Sequence, residues 1–157
     1  MVATSQTEVD VALRGGVVAG AAGAGVLALV MLALTTVRGE DPWSGAKFAA
    51  APWLGGRVFD PGFDPVALTV GLATHLGVSI IWGMLFGLVV FGFSKHVTIT
   101  AGAMFGFLVW LVMFYAVLPL LGLARITLGI PPWIAIFEHV VYGVVLALVF
   151  NRYQPID

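Results

Sequence analysis

The sequence predicts an all-α integral membrane protein in which four membrane-spanning helices form a bundle. Hydrophobic residues make up 61% of the 157-residue chain and charged residues only 10%, whereas a water-soluble domain carries about a quarter charged residues. The apolar residues are concentrated in four long stretches separated by polar or proline-containing segments. Since a helix needs about 20 apolar residues to cross the hydrocarbon layer, each stretch is a candidate span. Their unbroken apolarity favours helices over the strands of a barrel.

Each span has its own boundary signals. The first, residues 15–37, follows a polar segment without the positive charge and cleavage site of a secretory signal, so we expect it to be retained. The second and third, residues 66–93 and 97–121, flank the tight loop Ser94-Lys95-His96 and must be antiparallel neighbours. The fourth, residues 133–150, is the shortest, and two prolines define its start.

The long segment of residues 38–65 is predicted to lie outside the hydrocarbon layer, between the first two spans. Within it, Asp41-Pro42-Trp43 opens a stretch, Ser44 to Leu54, with the pattern of a helix that lies in the membrane interface. In that interpretation Asp41 is the N-cap, Pro42 occupies the first turn and the tryptophans lie at headgroup level. The alternative is an irregular loop anchored by its aromatic residues.

The four spans resemble each other in pairs. Ala19-Gly20-Ala21 in the first span matches Ala101-Gly102-Ala103 in the third. The second and fourth spans share an aromatic residue followed by glycine, Trp82-Gly83 and Tyr142-Gly143. The chain is therefore predicted to be a single membrane domain of two tandem helical hairpins that run in the same direction.

The second and fourth spans also share a stripe of small residues that contains one histidine. A spacing of four residues places all members of a stripe on one helix face, so we expect each stripe to pack against a neighbouring helix rather than lipid. The stripes consist of Gly71, His75, Ser79, Gly83 and Gly87 in the second span, and of Ala135, His139, Gly143 and Ala147 in the fourth.

The two histidines, His75 and His139, are candidate ligands because polar groups inside a span are costly and often functional. Counted from the starts of their spans, they differ in depth by about 4.5 Å; counted from the ends, they lie about two turns apart. Two inward histidines can ligate a b-type haem. The alternative is that each histidine only hydrogen-bonds to a neighbouring helix. The chain has no cysteine, and we predict no separate metal site.

Glu138 is the one carboxylate within an apolar span. Beside His139 it could belong to a proton relay or an ion site. The alternative is that it lies just under the interface and pairs with Arg125 or with a partner subunit.

Charge and motifs exclude several classes of protein. The net charge of −1 and the lack of a basic cluster give no surface for nucleic acid. The sequence has no Walker A loop, Gly-x-Ser-x-Gly, His-Glu-x-x-His or dinucleotide fingerprint, so we do not expect an enzyme. Basic residues are divided almost evenly between the two membrane faces and do not decide the orientation of the termini.

The segment Glu138-His139-Val140-Val141-Tyr142-Gly143-Val144-Val145-Leu146-Ala147-Leu148-Val149, together with the Asp41-Pro42-Trp43 loop, resembles a class of small four-helix membrane proteins of bacteria and archaea. The His-x-x-Tyr-Gly portion carries most of this resemblance. It implies a multi-pass protein of the prokaryotic inner (cytoplasmic) membrane, and it implies no particular activity.

The sequence favours a non-catalytic membrane subunit or anchor of a larger energy-transducing, electron-transfer or transport complex, because catalytic motifs are absent and the extramembrane parts are small. One alternative is an electron carrier that holds haem b between His75 and His139 and exchanges electrons with quinone. Another is a small oligomeric channel that conducts ions or protons through Glu138. The expected partners are membrane lipid, including bound lipid, and other membrane subunits or further copies of the chain.

Overall fold

A computed structural model describes residues 6–155. This part of the chain is helical and contains no β-strand, and four of its helices are long and apolar enough to cross a membrane. The prediction of an all-α, four-span membrane protein is therefore confirmed. The spans are Gln6–Val37, which we name α1, Pro65–Val90 (α4), Lys95–Leu120, which begins with α5, and Pro132–Phe150 (α8).

The first and second spans differ slightly from their predicted bounds. Helix α1 is already formed at Gln6, the first described residue, and not only from residue 15, because its polar turns extend the helix beyond the apolar stretch. Helix α4 begins at Pro65, where the side chain of Asp64 accepts hydrogen bonds from the backbone N–H groups of Val66 and Ala67. Proline suits this position because its fixed φ angle matches a first helical turn and its missing N–H needs no partner there.

The third span changes its helical form before it ends. Helix α5 runs over Lys95–Val112, a π-helical turn follows at Met113–Val117, and the short helix α6 covers Leu118–Leu120. Pro119 cannot donate a backbone hydrogen bond, and its ring crowds the carbonyl of the preceding turn. The wider π turn relieves this crowding, and the helix therefore departs from α geometry from Met113 onward, six residues before Pro119.

Close contacts order the spanning helices as α4–α1–α8–α5. Helix α1 packs along both α4 and α8, and α5 packs along α8, whereas α4 and α5 touch only lightly. Large rings fill the space between α4 and α5. The Phe105 ring lies 5.9 Å from that of Trp82 and 5.2 Å from that of Phe86, measured between centroids.

The two hairpins are each joined by glycines that bring the helix backbones into contact. A Cβ atom added to Gly16 would lie 2.5 Å from the carbonyl oxygen of Gly83, and one added to Gly20 would lie 2.5 Å from that of Ser79. In the second hairpin, Gly102 and Gly106 lie equally close to the carbonyl oxygens of Gly143 and His139. The stripe residues Ser79, Gly83, His139 and Gly143 thus lie against the backbone of the neighbouring helix.

These contacts shift the alignment of the two hairpins by one turn relative to the sequence match. In the structure, Gly16 and Gly20 of the first hairpin correspond to Gly102 and Gly106 of the second. The first pair contacts Gly83, and the second pair contacts Gly143, the equivalent glycine of the other hairpin. The sequence match instead equated Gly20 with Gly102. In the structural alignment His139 is equivalent to Ser79 and not to His75, so the two histidines lie one turn apart in the repeat.

The loop between the first two spans contains two short helices, Ser44–Phe48 (α2) and Ala51–Leu54 (α3), followed by a 3₁₀ segment at Gly55–Phe59. The predicted single interfacial helix is thus interrupted. Helix α2 begins after Trp43, two residues beyond Asp41, but Asp41 Oδ1 does accept a hydrogen bond from the backbone N–H of Trp43 at 3.1 Å, as an N-cap would. Its Oδ2 accepts from Lys47 Nζ at 2.9 Å and from the backbone N–H of Gly62 at 3.0 Å.

Lys47 holds this loop together from inside. Its side chain is 1% exposed, and Nζ donates to the carbonyl oxygens of Asp60 at 2.5 Å and Gly62 at 2.8 Å as well as to Asp41. All three ammonium protons therefore have acceptors, which is the condition for burying a lysine. On the other membrane face, Gln154 bonds to Gly92 N and Val90 O and closes the turn between α4 and α5. A further short helix, Arg125–Leu128 (α7), precedes α8.

Candidate functional site

A small inner cavity of about 80 Å³ lies between all four spanning helices. The structure places His75 and His139, the two predicted candidate ligands, on the wall of this one cavity. Ser79, a member of the same stripe as His75, also contributes to it. The complete lining is Leu27, His75, Val78, Ser79, Trp82, Val109, Met113, His139 and Tyr142.

Hydrogen bonds to backbone carbonyls define which nitrogen of each histidine carries a proton. His75 Nε2 lies 3.3 Å from the carbonyl oxygen of Ala24, and His139 Nδ1 lies 2.8 Å from that of Ala135. Because a carbonyl oxygen only accepts, the contacting nitrogen must be the donor. In the neutral rings His75 Nδ1 and His139 Nε2 are then acceptors, available to a hydrogen-bond donor or a ligand.

The packing around the histidines does not leave room for a haem. Sites for small organic molecules measure roughly 300 Å³ or more, several times the volume of the inner cavity. The ring of Phe114 also stands edge-on to His139, 5.8 Å away between centroids. Ligation of haem by His75 and His139 therefore stays a prediction that requires the helices to separate. A reduced-minus-oxidised spectrum of protein from its native membrane tests it.

Glu138 lies in a second, outer cavity of about 280 Å³ at the membrane face that carries the loop of residues 38–65. Its side chain is 8% exposed. Within residues 6–155 its carboxylate has no hydrogen bond and no ion pair, and Arg125 is not its partner. The lining is Met31, Leu34, Thr35, Arg38, Glu40, Asp41, Ser44, Gly45, Phe48, Gly129, Ile130, Ile134 and Glu138.

The other charged groups at the outer cavity are already paired. Arg38 forms an ion pair with Glu40, and both side chains are partly exposed. Asp41 pairs with Lys47 at 2.9 Å. Glu138 is consequently the acidic group of this lining without an ion pair among the described residues, and Arg38 acts on its charge only from beyond contact distance. A buried carboxylate without a direct partner is costly unless it binds a proton or a cation.

The outer and inner cavities are adjacent but share no lining residue. The consecutive residues Glu138 and His139 line one cavity each, as do Met31 and Leu27, which lie one turn apart on α1. Beyond the inner cavity the packing becomes aromatic, and the rings of Phe86 and Phe150 lie 5.9 Å apart. Protonatable groups thus extend from the loop face to the middle of the bundle and end at an aromatic layer.

A third and larger cavity, which we name the α1–α4 groove, was not predicted from the sequence. It measures about 450 Å³ and is mostly apolar. His75 lines both this groove and the inner cavity. The groove residues are Gly25, Ala28, Leu29, Met31, Leu32, Pro42, Trp43, Gly45, Ala46, Phe63, Pro65, Leu68, Thr69, Leu72 and His75.

Two carboxylates of the loop that precedes α4, Asp64 and Asp41, form charge-assisted hydrogen bonds outside the membrane. Arg57 donates to the carboxylate of Asp64 through Nε at 2.6 Å and Nη2 at 3.0 Å. These bonds, with the backbone N–H of Ala67, lower the pKa of Asp64 to about 2. For Asp41, partial burial raises the pKa, but the hydrogen bonds from Lys47 and from backbone N–H groups outweigh it and bring the pKa below its usual value.

Comparison with known proteins adds one match. A model described as a family of unknown function (DUF6789) matches residues 11–157 and so covers nearly the whole chain, including all three cavities. No curated protein and no solved structure matches the chain.

Proposed function

The chain belongs to the DUF6789 family, whose function is unknown, and we propose that it is a membrane protein that takes up protons from one membrane face through Glu138. The observation that supports this function is the buried, unpartnered carboxylate at the inner side of the outer cavity. A carboxylate in this position must be neutralised, and the proton is the smallest cation that can reach it.

The groups next to Glu138 favour a proton over a metal cation. His139 follows it in sequence, and His75 shares the inner cavity with His139. Both rings can bind and release protons, and both have an acceptor nitrogen. Among residues 6–155, no group of three or more His, Cys, Asp or Glu side chains is arranged to hold a metal ion.

The aromatic layer beyond the inner cavity makes this a one-sided pathway. The ring of Phe105 on α5 contacts those of Trp82 and Phe86 on α4, and none of the three offers a protonatable group. A proton bound at Glu138 therefore exchanges with the loop face, and transfer to the other face requires a partner protein or a rearrangement. In this proposal the chain is a non-catalytic subunit of a larger complex in the cytoplasmic membrane of a prokaryote, and it supplies the proton-uptake site.

Carbodiimide labelling tests the proposal. Dicyclohexylcarbodiimide reacts with protonated carboxylic acids in apolar surroundings, so we expect it to modify Glu138 in the detergent-solubilised protein, with labelling that decreases as the pH rises. Peptide mass spectrometry locates the label. The matched control is Glu40, which lines the same cavity but is exposed and paired with Arg38.

Two variants make the outcome decisive. Labelling must disappear in E138Q and persist in E40Q. If Glu138 is not labelled at any pH, or if Glu40 is labelled equally well, Glu138 is not a protonated buried acid and the proposal is wrong.

The third span supports a second proposal, that the chain is an accessory subunit of a larger membrane complex, which is also the function that the sequence favoured. This span is the least buried of the four, and Met104, Phe107 and Tyr115 project from it as exposed large side chains. We expect larger subunits to co-purify with the chain from its native membrane in mild detergent, and F107A/Y115A to weaken this association. Recovery of the protein only as a free monomer would contradict this role.

A further inference from the structure

We propose that the α1–α4 groove binds an apolar lipid that carries a hydroxyl group, and that this hydroxyl donates a hydrogen bond to His75. The volume of about 450 Å³ lies within the range of roughly 300–1,000 Å³ that is usual for small-molecule sites. The inference concerns a different site from Glu138 and does not depend on proton uptake.

The groove exists because α1 and α4 separate on the loop side of His75. On the other side of His75 the two backbones touch at Gly20 and Ser79, where a side chain on the glycine would meet a carbonyl oxygen. Toward the loop, Gly71 of α4 packs against the carbonyl oxygen of Ala46 in α2 instead of against α1, and Gly25 of α1 faces open space. Leu29, Leu32 and Leu72 line the resulting groove. These leucines are exposed to the lipid side, so a lipid can enter the groove directly from the bilayer.

The groove extends from the membrane interface to the middle of the bilayer. At its outer end Trp43 and Phe63 pack edge to face with ring centroids 5.3 Å apart, in the manner of aromatic residues at headgroup level. His75 lies ten residues after Pro65, the first residue of α4, which corresponds to a depth of about 15 Å at 1.5 Å per residue. The hydrocarbon layer is about 30 Å thick, so His75 is close to its midplane.

The chemistry of His75 selects a hydroxyl group. Its Nε2 donates to the carbonyl oxygen of Ala24, which leaves Nδ1 of the neutral ring as an acceptor. Two other side chains of the lining carry polar groups: Thr69 donates its hydroxyl proton to the carbonyl oxygen of Pro65, and the indole N–H of Trp43 belongs to the outer end of the groove. A lipid hydroxyl near the bilayer midplane lacks water and gains a partner in His75, whereas an ether or a plain acyl chain gains none.

Photo-crosslinking with a matched pair of ligands tests the proposal. The probe is dodecan-1-ol with a diazirine in its chain, added to the full-length protein in lipid nanodiscs, and the crosslinked peptides are identified by mass spectrometry. We expect crosslinks to residues 28–32 of α1 and 65–75 of α4. Unlabelled dodecan-1-ol should abolish them, whereas dodecyl methyl ether at the same concentration should leave most of them.

Variants separate the role of His75 from the shape of the groove. H75F should reduce crosslinking by the alcohol at least ten-fold, and H96F, altered at an exposed histidine outside the groove, should have no effect. Ala28→Phe leaves His75 intact, fills the groove and should also abolish crosslinking. Thermal unfolding of each variant shows whether it is folded.

Two outcomes would overturn the proposal. If the methyl ether competes as well as the alcohol, the groove holds ordinary acyl chains without recognising a hydroxyl. If folded H75F crosslinks like the wild type, His75 is not the acceptor. E138Q is expected to crosslink normally, so failure of the proton-uptake proposal leaves this result unchanged.

Discussion

The hydroxyl group of Tyr142 donates a hydrogen bond of 2.6 Å to the carbonyl oxygen of Ser79 and so joins α8 to α4 across the centre of the bundle. Tyr142 is 2% exposed, and both residues line the inner cavity beside the two histidines. Gly20 of α1 packs against the same carbonyl oxygen. This single acceptor therefore fixes three helices relative to one another at the depth of the candidate site.

Removal of this hydrogen bond should weaken the bundle. Tyr142→Phe leaves a buried carbonyl with one partner fewer, and we expect the free energy of unfolding to fall by about 1–2 kcal/mol. Equilibrium unfolding in mixed detergent micelles measures it. Tyr115→Phe is the control because Tyr115 is 68% exposed; an equal loss in both variants would show that the bond does not stabilise the bundle.

The close approach of α1 and α4 should not tolerate a side chain at Gly83. A Cβ there would collide with the backbone of Gly16 and Gly20, so Gly83→Leu should force the helices apart and destabilise the protein by about 1–3 kcal/mol or more. The midpoint of thermal unfolding in mild detergent reports the effect. Gly77→Leu, on the same helix but facing open space, should leave the midpoint almost unchanged.

The loop of residues 38–65 should lose its structure without Lys47. Lys47→Met removes three hydrogen bonds and leaves Asp41 without its cation, so the ties from α2 to Asp60 and Gly62 are lost. Limited proteolysis of the protein in vesicles should then cleave this loop much faster than in the wild type. Lys95→Met, at an exposed lysine, is the control, and equally slow cleavage of the Lys47 variant would contradict the interpretation.

Acid should remove the stabilising effect of Asp64. Its pKa is about 2 in the folded protein and about 3.9 in an unfolded chain. Because the folded-state pKa is the lower one, the contribution is complete above the unfolded value and is lost as the pH falls toward 2. The difference in stability between wild type and Asp64→Asn should therefore shrink below about pH 5. A difference that stayed constant between about pH 5 and pH 2 would contradict this prediction.

The number of spans and the inward histidines could be predicted because they depend on local properties of the sequence. The length and apolarity of a stretch decide whether it crosses the bilayer, and a spacing of four places His75 and His139 on small-residue faces. That α1 is already formed at Gln6 could not be derived in this way, since a helix that leaves the membrane continues on polar residues.

The features that escaped prediction depend on contacts between distant residues. Asp41 makes the local bond to the backbone N–H of Trp43 through Oδ1, but the bonds of its Oδ2 to Lys47 and to the N–H of Gly62 could not be read from the sequence. The repeat alignment was shifted because Gly, Ala, Leu and Val recur so often that a match one turn away looks equally good. The α1–α4 groove depends on where the backbones separate, which sequence spacing does not reveal.

The closest backbone contacts in this protein join helices that follow each other in the chain, and this has a consequence for its biogenesis. Gly16 can meet Gly83 before the third span has been synthesised, and Gly102 can meet Gly143 without help from the first hairpin. The bilayer can thus receive two finished hairpins in succession, in keeping with the assembly of membrane bundles from helices that are already inserted. Their later association along α1 and α8 creates the inner cavity, so the candidate site arises only in the last step of assembly.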